Sequence, residues 1–169
     1  MFRRILALTL TPAVLTLAAA APAEAASLYD SYFGKTGGGS ACYERTYPTS
    51  HFRRHPRQTV KRIWVVQTPV RPGGETSSAK SFEVVLAIRP VDASSAYTSN
   101  AYCRQIANRF NCSVEADGGQ FRLTPGKGGL VLTTGGISIE GAKGFLSVGE
   151  RGGDDRTFRL ARAASSACN

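Results

Sequence analysis

Hydrophobic residues occupy alternate positions along several short stretches of the chain. The clearest case lies between residues 82 and 88, where Phe82, Val84, Leu86 and Ile88 are separated by single residues. A period of two places these four side chains on one face of a β-strand, which we expect to be buried. The stretch Thr59–Gln67 is rich in β-branched and aromatic residues and precedes a proline-containing loop, which predicts a second strand.

Seven further segments have the composition of short strands. They are Ala96–Cys103, Arg109–Ala116, Gln120–Thr124, Gly129–Thr134, Gly136–Glu140, Gly144–Val148 and Arg156–Ala161. Twelve of the 18 glycines lie between residues 118 and 153, and the doublets among them supply the positive φ angles that tight hairpins need. Because no long amphipathic helix separates these segments, we predict an all-β fold. It is either an antiparallel sandwich or a small barrel of about seven to nine short strands.

The 169 residues are enough for one ordinary domain, which we place at residues 41–169. Residues 27–40 contain three consecutive glycines and are predicted to form a flexible lead into this domain. The only helix that we expect is a short one near residues 49–55, because Thr49 or Ser50 can cap its start and Pro56 ends it.

The first 26 residues have the features of an export signal. Arg3 and Arg4 precede an apolar stretch, and small residues flank Glu24, as signal peptidase requires. No later apolar run approaches the roughly 18 residues that cross a bilayer. We therefore expect residues 1–26 to be removed and the protein to be exported, periplasmic or secreted, with no transmembrane span after cleavage.

Four cysteines follow this segment, at Cys42, Cys103, Cys112 and Cys168. An even number in an oxidising compartment predicts two disulfides, and four cysteines allow three pairings. A pair between Cys103 and Cys112 is favoured because these residues flank a short polar stretch between two predicted strands, and Cys42 would then pair with Cys168. Zinc binding is disfavoured because no Cys-x-x-Cys motif is present.

Positive charge is concentrated between residues 45 and 62. The chain carries a net charge of +9, and this window of 18 residues holds six cations and no carboxylate. The cations are Arg45, Arg53, Arg54, Arg57, Lys61 and Arg62, and both histidines, His51 and His55, lie among them. Such a cluster attracts anions, so it predicts a binding surface for an anionic envelope component or an acidic protein. The simpler alternative is solvated surface charge, and nucleic acid is a poor partner for an exported protein.

His51 and His55 are four residues apart, a spacing that metal sites also use. Arg53 and Arg54 between them would repel a cation, so a role at the end of the short helix is favoured. We predict neither a metal site nor a cofactor.

Catalytic motifs are weak. The chain has no Gly-x-Ser-x-Gly motif, and the cysteines are assigned to disulfides. Glu115, Asp117 and Asp154 could act as acid and base in a hydrolase, but acidic residues beside glycines more often stabilise turns. A non-catalytic binding or envelope-associated protein is therefore the favoured interpretation, and a periplasmic hydrolase using these three carboxylates is the alternative.

Several motifs of the chain resemble a group of small exported proteobacterial proteins of unknown function. The motifs are Cys42–Arg45, His51, His55–Pro56, Phe110–Cys112, Asp117–Leu123 and Asp154–Leu160. The resemblance implies a bacterial periplasmic setting and no particular activity.

Overall fold

Nine antiparallel strands make up most of the chain that the structure describes. The computed structural model describes residues 27–34, 40–68, 81–141, 144–150 and 153–169, so the predicted export signal lies outside the described residues. The strands are β1 (Cys42–Thr46), β2 (Val60–Gln67), β3 (Ser81–Pro90), β4 (Tyr97–Ile106), β5 (Arg109–Val114), β6 (Gly119–Gly126), β7 (Gly129–Gly141), β8 (Gly144–Val148) and β9 (Thr157–Ala163). The short helical segments are Asp30–Gly34, α1 (Thr49–Phe52) and Ser165–Cys168.

Eight of the strands close into a barrel. Strands β1 to β7 pair in chain order, and β9 completes the circle by pairing with both β7 and β1. Strand β8 lies outside this circle and pairs with the second half of β7. The predicted all-β fold is confirmed, and of its two alternatives the protein adopts the barrel.

Alternate side chains of each strand point into the barrel and fill it. In β3, Phe82, Val84, Leu86 and Ile88 are all buried, as their period of two predicts. Their neighbours from β5, β6, β7 and β9 include Phe110, Phe121, Leu123, Leu130, Leu132, Phe158 and Leu160. The interior is therefore a packed hydrophobic core.

Two details of the strand prediction are wrong. Gly129–Thr134 and Gly136–Glu140 form the single strand β7, with Gly135 at a β-bulge. β7 pairs with β6 on one side, and with β9 and then β8 on the other. These pairings keep the chain extended through Gly135 and Gly136, the glycine doublet that suggested a turn. Strand β1 is missing from the prediction, because Cys42 and Tyr43 are both buried and hide the alternation that marks a strand with one solvent face.

Residues 27–34 correct the prediction of a flexible lead. They form a helical turn, and its Tyr29 and Phe33 are buried against the end of the barrel. The ring centroid of Phe33 lies 4.6 Å from that of Phe82, and the hydroxyl of Tyr43 donates a hydrogen bond to the carbonyl of Tyr32 at 2.7 Å. The aromatic residues at spacings of three and four place their rings on one side of the turn, which closes this end of the barrel.

Both predicted disulfides are present. Cys103 and Cys112 are directly paired residues of β4 and β5, and Cys42 of β1 is joined to Cys168 near the end of the chain. In the chain-entropy model, closing a loop of 126 residues contributes about 5 kcal/mol and closing one of 9 residues about 3 kcal/mol. Disulfides of this kind are typical of an oxidising, extracytoplasmic environment.

Candidate functional site

The loop between β1 and β2 is held in place by a buried carboxylate. Asp155 accepts hydrogen bonds from the backbone N–H and hydroxyl of Thr59, at 2.6 and 2.8 Å, and from the N–H of Val60 at 3.3 Å. Asp155 is only 4% exposed, so these donors compensate for its removal from water. The loop therefore has a fixed end at the start of β2.

A stack of three rings supports the other part of the loop. The ring centroid of His51 lies 4.5 Å from that of Tyr47 and 4.2 Å from that of His55. Nε2 of His51 is 2.8 Å from Oε1 of Gln58, and the Gln58 amide donates to the carbonyl of Val60. Burial raises the pKa of Tyr47, and the positive charge of Arg45 opposes this rise. The predicted short helix is present as α1, but it ends at Phe52, before Pro56; His51 lies in it, and His55 follows it and stacks on His51.

The cations of the loop lie on its exposed surface. Arg53, Arg54 and Arg57 follow α1 and are exposed, and Lys61 lies at the base of the loop, where its carbonyl accepts a hydrogen bond from the N–H of Tyr47. We call these four residues the basic tip. Arg57 lies 3.6 Å from Asp154, whereas the other three form no ion pair with any carboxylate of the described residues. Three cations are thus available to a ligand.

Two cations of the predicted surface have other contacts. The guanidinium of Arg62 donates to Glu44 at 2.7 and 2.9 Å, contacts the carbonyl of Ala167 and lies over the ring of Trp64. The guanidinium of Arg45 lies 4.9 Å from the ring centroid of Tyr47. Arg62 therefore holds the C-terminal turn against β2, whereas Arg45 is exposed and lies against a ring of the loop.

The carboxylates considered for hydrolysis lie in two different loops. Glu115 and Asp117 are exposed in the turn between β5 and β6, where Glu115 accepts a hydrogen bond from Asn100. Asp154 lies before β9 and pairs with Arg57. Two open grooves on the surface, each of about 460–470 Å³, are lined by other residues. Neither of these two grooves in the described part of the chain contains Glu115, Asp117 or Asp154.

Comparison with protein-family models, with curated proteins and with solved structures finds no match to this chain. Within the described ranges, no group of three or more His, Cys, Asp or Glu side chains is arranged to hold a metal ion. The same residues include no helix that is long and apolar enough to cross a membrane.

Asp155 is the site residue that sequence reasoning missed. It contacts a loop almost one hundred residues earlier in the chain, and the only local feature is a pair of aspartates after two glycines, which is typical of an ordinary turn. No pattern in the sequence distinguishes the structural Asp155 from the more exposed Asp154.

Proposed function

We propose that the protein is exported and serves as a non-catalytic binding module of the bacterial envelope, with the basic tip as its contact surface for an anionic envelope component. The observation that carries this proposal is an ordered loop in which three cations of the basic tip, Arg53, Arg54 and Lys61, have no carboxylate partner among the described residues. The export motif and the two disulfides support the location.

The order of the loop favours binding over simple solubility. Surface charge needs no fixed backbone, whereas a ligand site gains affinity when its groups are already positioned before the ligand arrives. Asp155 fixes one part of the loop and the stack of Tyr47, His51 and His55 supports the other. Arg53 and Arg54 are adjacent on this support, and guanidinium groups form forked hydrogen bonds to phosphate or carboxylate.

Lipopolysaccharide is the probe that we would use first, because its lipid A phosphates are anionic and lie in the same envelope. Binding of the protein from residue 27 onward should weaken as salt rises, since the Debye length falls from about 10 Å at 0.1 M to about 3 Å at 1 M. The variant Arg53→Gln/Arg54→Gln/Lys61→Gln should bind about tenfold more weakly or worse, because it loses three charged contacts.

A variant of equal charge tests whether position matters. Arg104→Gln/Arg122→Gln/Arg159→Gln removes the same three charges from the side of the barrel, where all three residues are exposed. It should keep most of the affinity for lipopolysaccharide. Equal binding by the wild type and the tip variant, or capture that is insensitive to salt, would show that the tip carries only solvated charge. Retention of an acidic protein instead of lipopolysaccharide would also contradict the proposed partner.

A further inference from the structure

One side of the barrel carries arginines and no carboxylates. Strands β4, β5, β6 and β9, and β7 as far as Ile139, contain no Asp or Glu. The strands of this side contain five arginines, and Arg156 directly precedes β9. Arg162 of β9 lies over the ring of Tyr43, which leaves Arg104, Arg109, Arg122 and Arg159 on the strands and Arg156 before β9. We call these five residues the arginine face. None of the five forms an ion pair with a carboxylate that the structure describes.

The pairing of the strands brings these arginines together. Asn111 of β5 is paired with Arg104 of β4 on one side and with Arg122 of β6 on the other. Because neighbouring strands lie about 4.8 Å apart, the backbones of the two arginines are roughly 10 Å apart across Asn111. Arg159 of β9 belongs to the next row, opposite Val131 of β7. None of the three forms an ion pair with a described carboxylate, so an anionic ligand can pair with their guanidinium groups.

A groove of about 460 Å³ lies beside this row, within the size range of small-ligand sites, roughly 300–1,000 Å³. Its polar lining comes from Asn111, Gln120, Arg122, Thr133 and Arg156. The β-bulge at Gly135 forms part of its wall, and bulges are common beside binding sites. The groove thus combines two guanidinium groups with uncharged hydrogen-bonding side chains.

Two buried atoms of this side have no hydrogen-bond partner among the described residues. Oδ1 of Asn111 has no donor, and Nε of Arg109 has no acceptor. An unpaired buried polar atom costs about 1–3 kcal/mol. Both atoms are closed to solvent as they lie, so a ligand that supplies hydroxyl donors and anionic acceptors would satisfy them only once the two side chains turn outward.

We infer that the arginine face binds an acidic polysaccharide of the uronic acid type, with its groove holding one part of the polymer. Carboxylates of the polymer pair with the guanidinium groups, and sugar hydroxyls supply the donor that Asn111 lacks. Nucleic acid backbones offer mainly phosphate acceptors at their surface and so fit the Asn111 oxygen less well. This inference is separate from the basic tip and shares with the proposed function only the expected location.

The test measures binding of polygalacturonate by isothermal titration calorimetry. Arg104→Gln/Arg122→Gln/Arg159→Gln should weaken binding about tenfold or more, whereas Arg53→Gln/Arg54→Gln/Lys61→Gln, whose three positions lie away from the groove, should weaken it several-fold less than that. The two variants lose the same charge, so equal weakening by both would overturn the inference. The opposite ranking of the same two variants is expected for lipopolysaccharide, so the two proposals can fail independently.

A second comparison tests the need for hydroxyl groups. Polyacrylate carries carboxylates and no hydroxyls, so it should bind less tightly than polygalacturonate at equal charge concentration. Asn111→Leu removes the acceptor without changing charge and should reduce this preference. Binding that is equal for the two polymers, or tighter for double-stranded DNA than for polygalacturonate, would overturn the inference. The unfolding midpoint of each variant, followed by Trp64 fluorescence, checks that the barrel is intact.

Discussion

Replacement of Phe33 by alanine tests whether residues 27–34 belong to the cooperative fold of the barrel. Phe33 is 2% exposed, and its ring centroid lies 4.6 Å from that of Phe82, 5.3 Å from that of Phe110 and 5.6 Å from that of Tyr43. The truncation removes a buried ring and leaves a cavity at the barrel end, where the partner rings are fixed on β1, β3 and β5. We therefore expect little collapse of the cavity.

The expected cost follows from this burial. Truncation of a buried phenylalanine to alanine lowers the free energy of unfolding by about 3–5 kcal/mol, against a total of about 5–15 kcal/mol for a natural domain. For a domain of this size, that loss corresponds to a fall in the melting temperature of roughly 10–20 °C. Phe33→Ala should therefore be as harmful as Phe82→Ala in the centre of β3.

Urea unfolding followed by Trp64 fluorescence measures this cost. Trp64 is the single tryptophan and lies on the outer side of β2 beside Cys168, so it reports unfolding of the barrel and not undocking of the N-terminal turn. Ser31→Ala in the same turn is the control, and its cost should stay below about 0.5 kcal/mol because Ser31 is exposed. A loss below about 1 kcal/mol for Phe33→Ala would show that residues 27–34 are not part of the cooperative unit.

Three further results are expected. Thiol titration of the denatured, unreduced protein should find no free cysteine, and two or more free thiols would contradict the assigned disulfides. Asp155→Ala should lower the free energy of unfolding by about 3 kcal/mol because two backbone donors lose their acceptor, whereas Asp154→Ala should cost less than about 1 kcal/mol. Burial raises the pKa of Tyr43 to about 12. Its protonated side chain should therefore contribute fully to the free energy of unfolding below pH 10, and this contribution should be lost as the pH rises through 12. The free energy of unfolding of Tyr43→Phe, measured over the same pH range, should not show that loss.

The strands that follow simple patterns could be predicted from the sequence, and the exceptions have physical causes. The inward positions of β3 are large and apolar, and its outward positions, Glu83, Val85, Ala87 and Arg89, are smaller or charged. The alternation is therefore visible in the chain, although Ala87 is buried on the outer side. β1 is covered on both sides, by the barrel core at Tyr43 and by the C-terminal turn at Cys42, and this removes the alternation. Residues 27–34 contain the aromatic rings of a packed segment, but the adjacent glycines suggested flexibility, and only the open end of the barrel explains where those rings lie.

Closeness in the sequence is a poor guide to which cations are available to a ligand. The cations from residue 45 to 62 stand out because they are close in sequence, yet Arg62 is used to hold Glu44 and the C-terminal turn, and Arg57 has an acidic partner. Local charge density thus overestimates the number of cations available to a ligand.

The arginine face presents the opposite case. Arg104 and Arg122 are 18 positions apart in the chain, and neither lies in a basic window. They flank Asn111 because two antiparallel pairings, β4 with β5 and β5 with β6, share that residue. A shift of either register by one residue would turn these side chains toward the core. The disulfide between the paired residues Cys103 and Cys112 joins β4 and β5 at adjacent positions, so the same bond that stabilises the hairpin also fixes the alignment of Arg104 with Asn111.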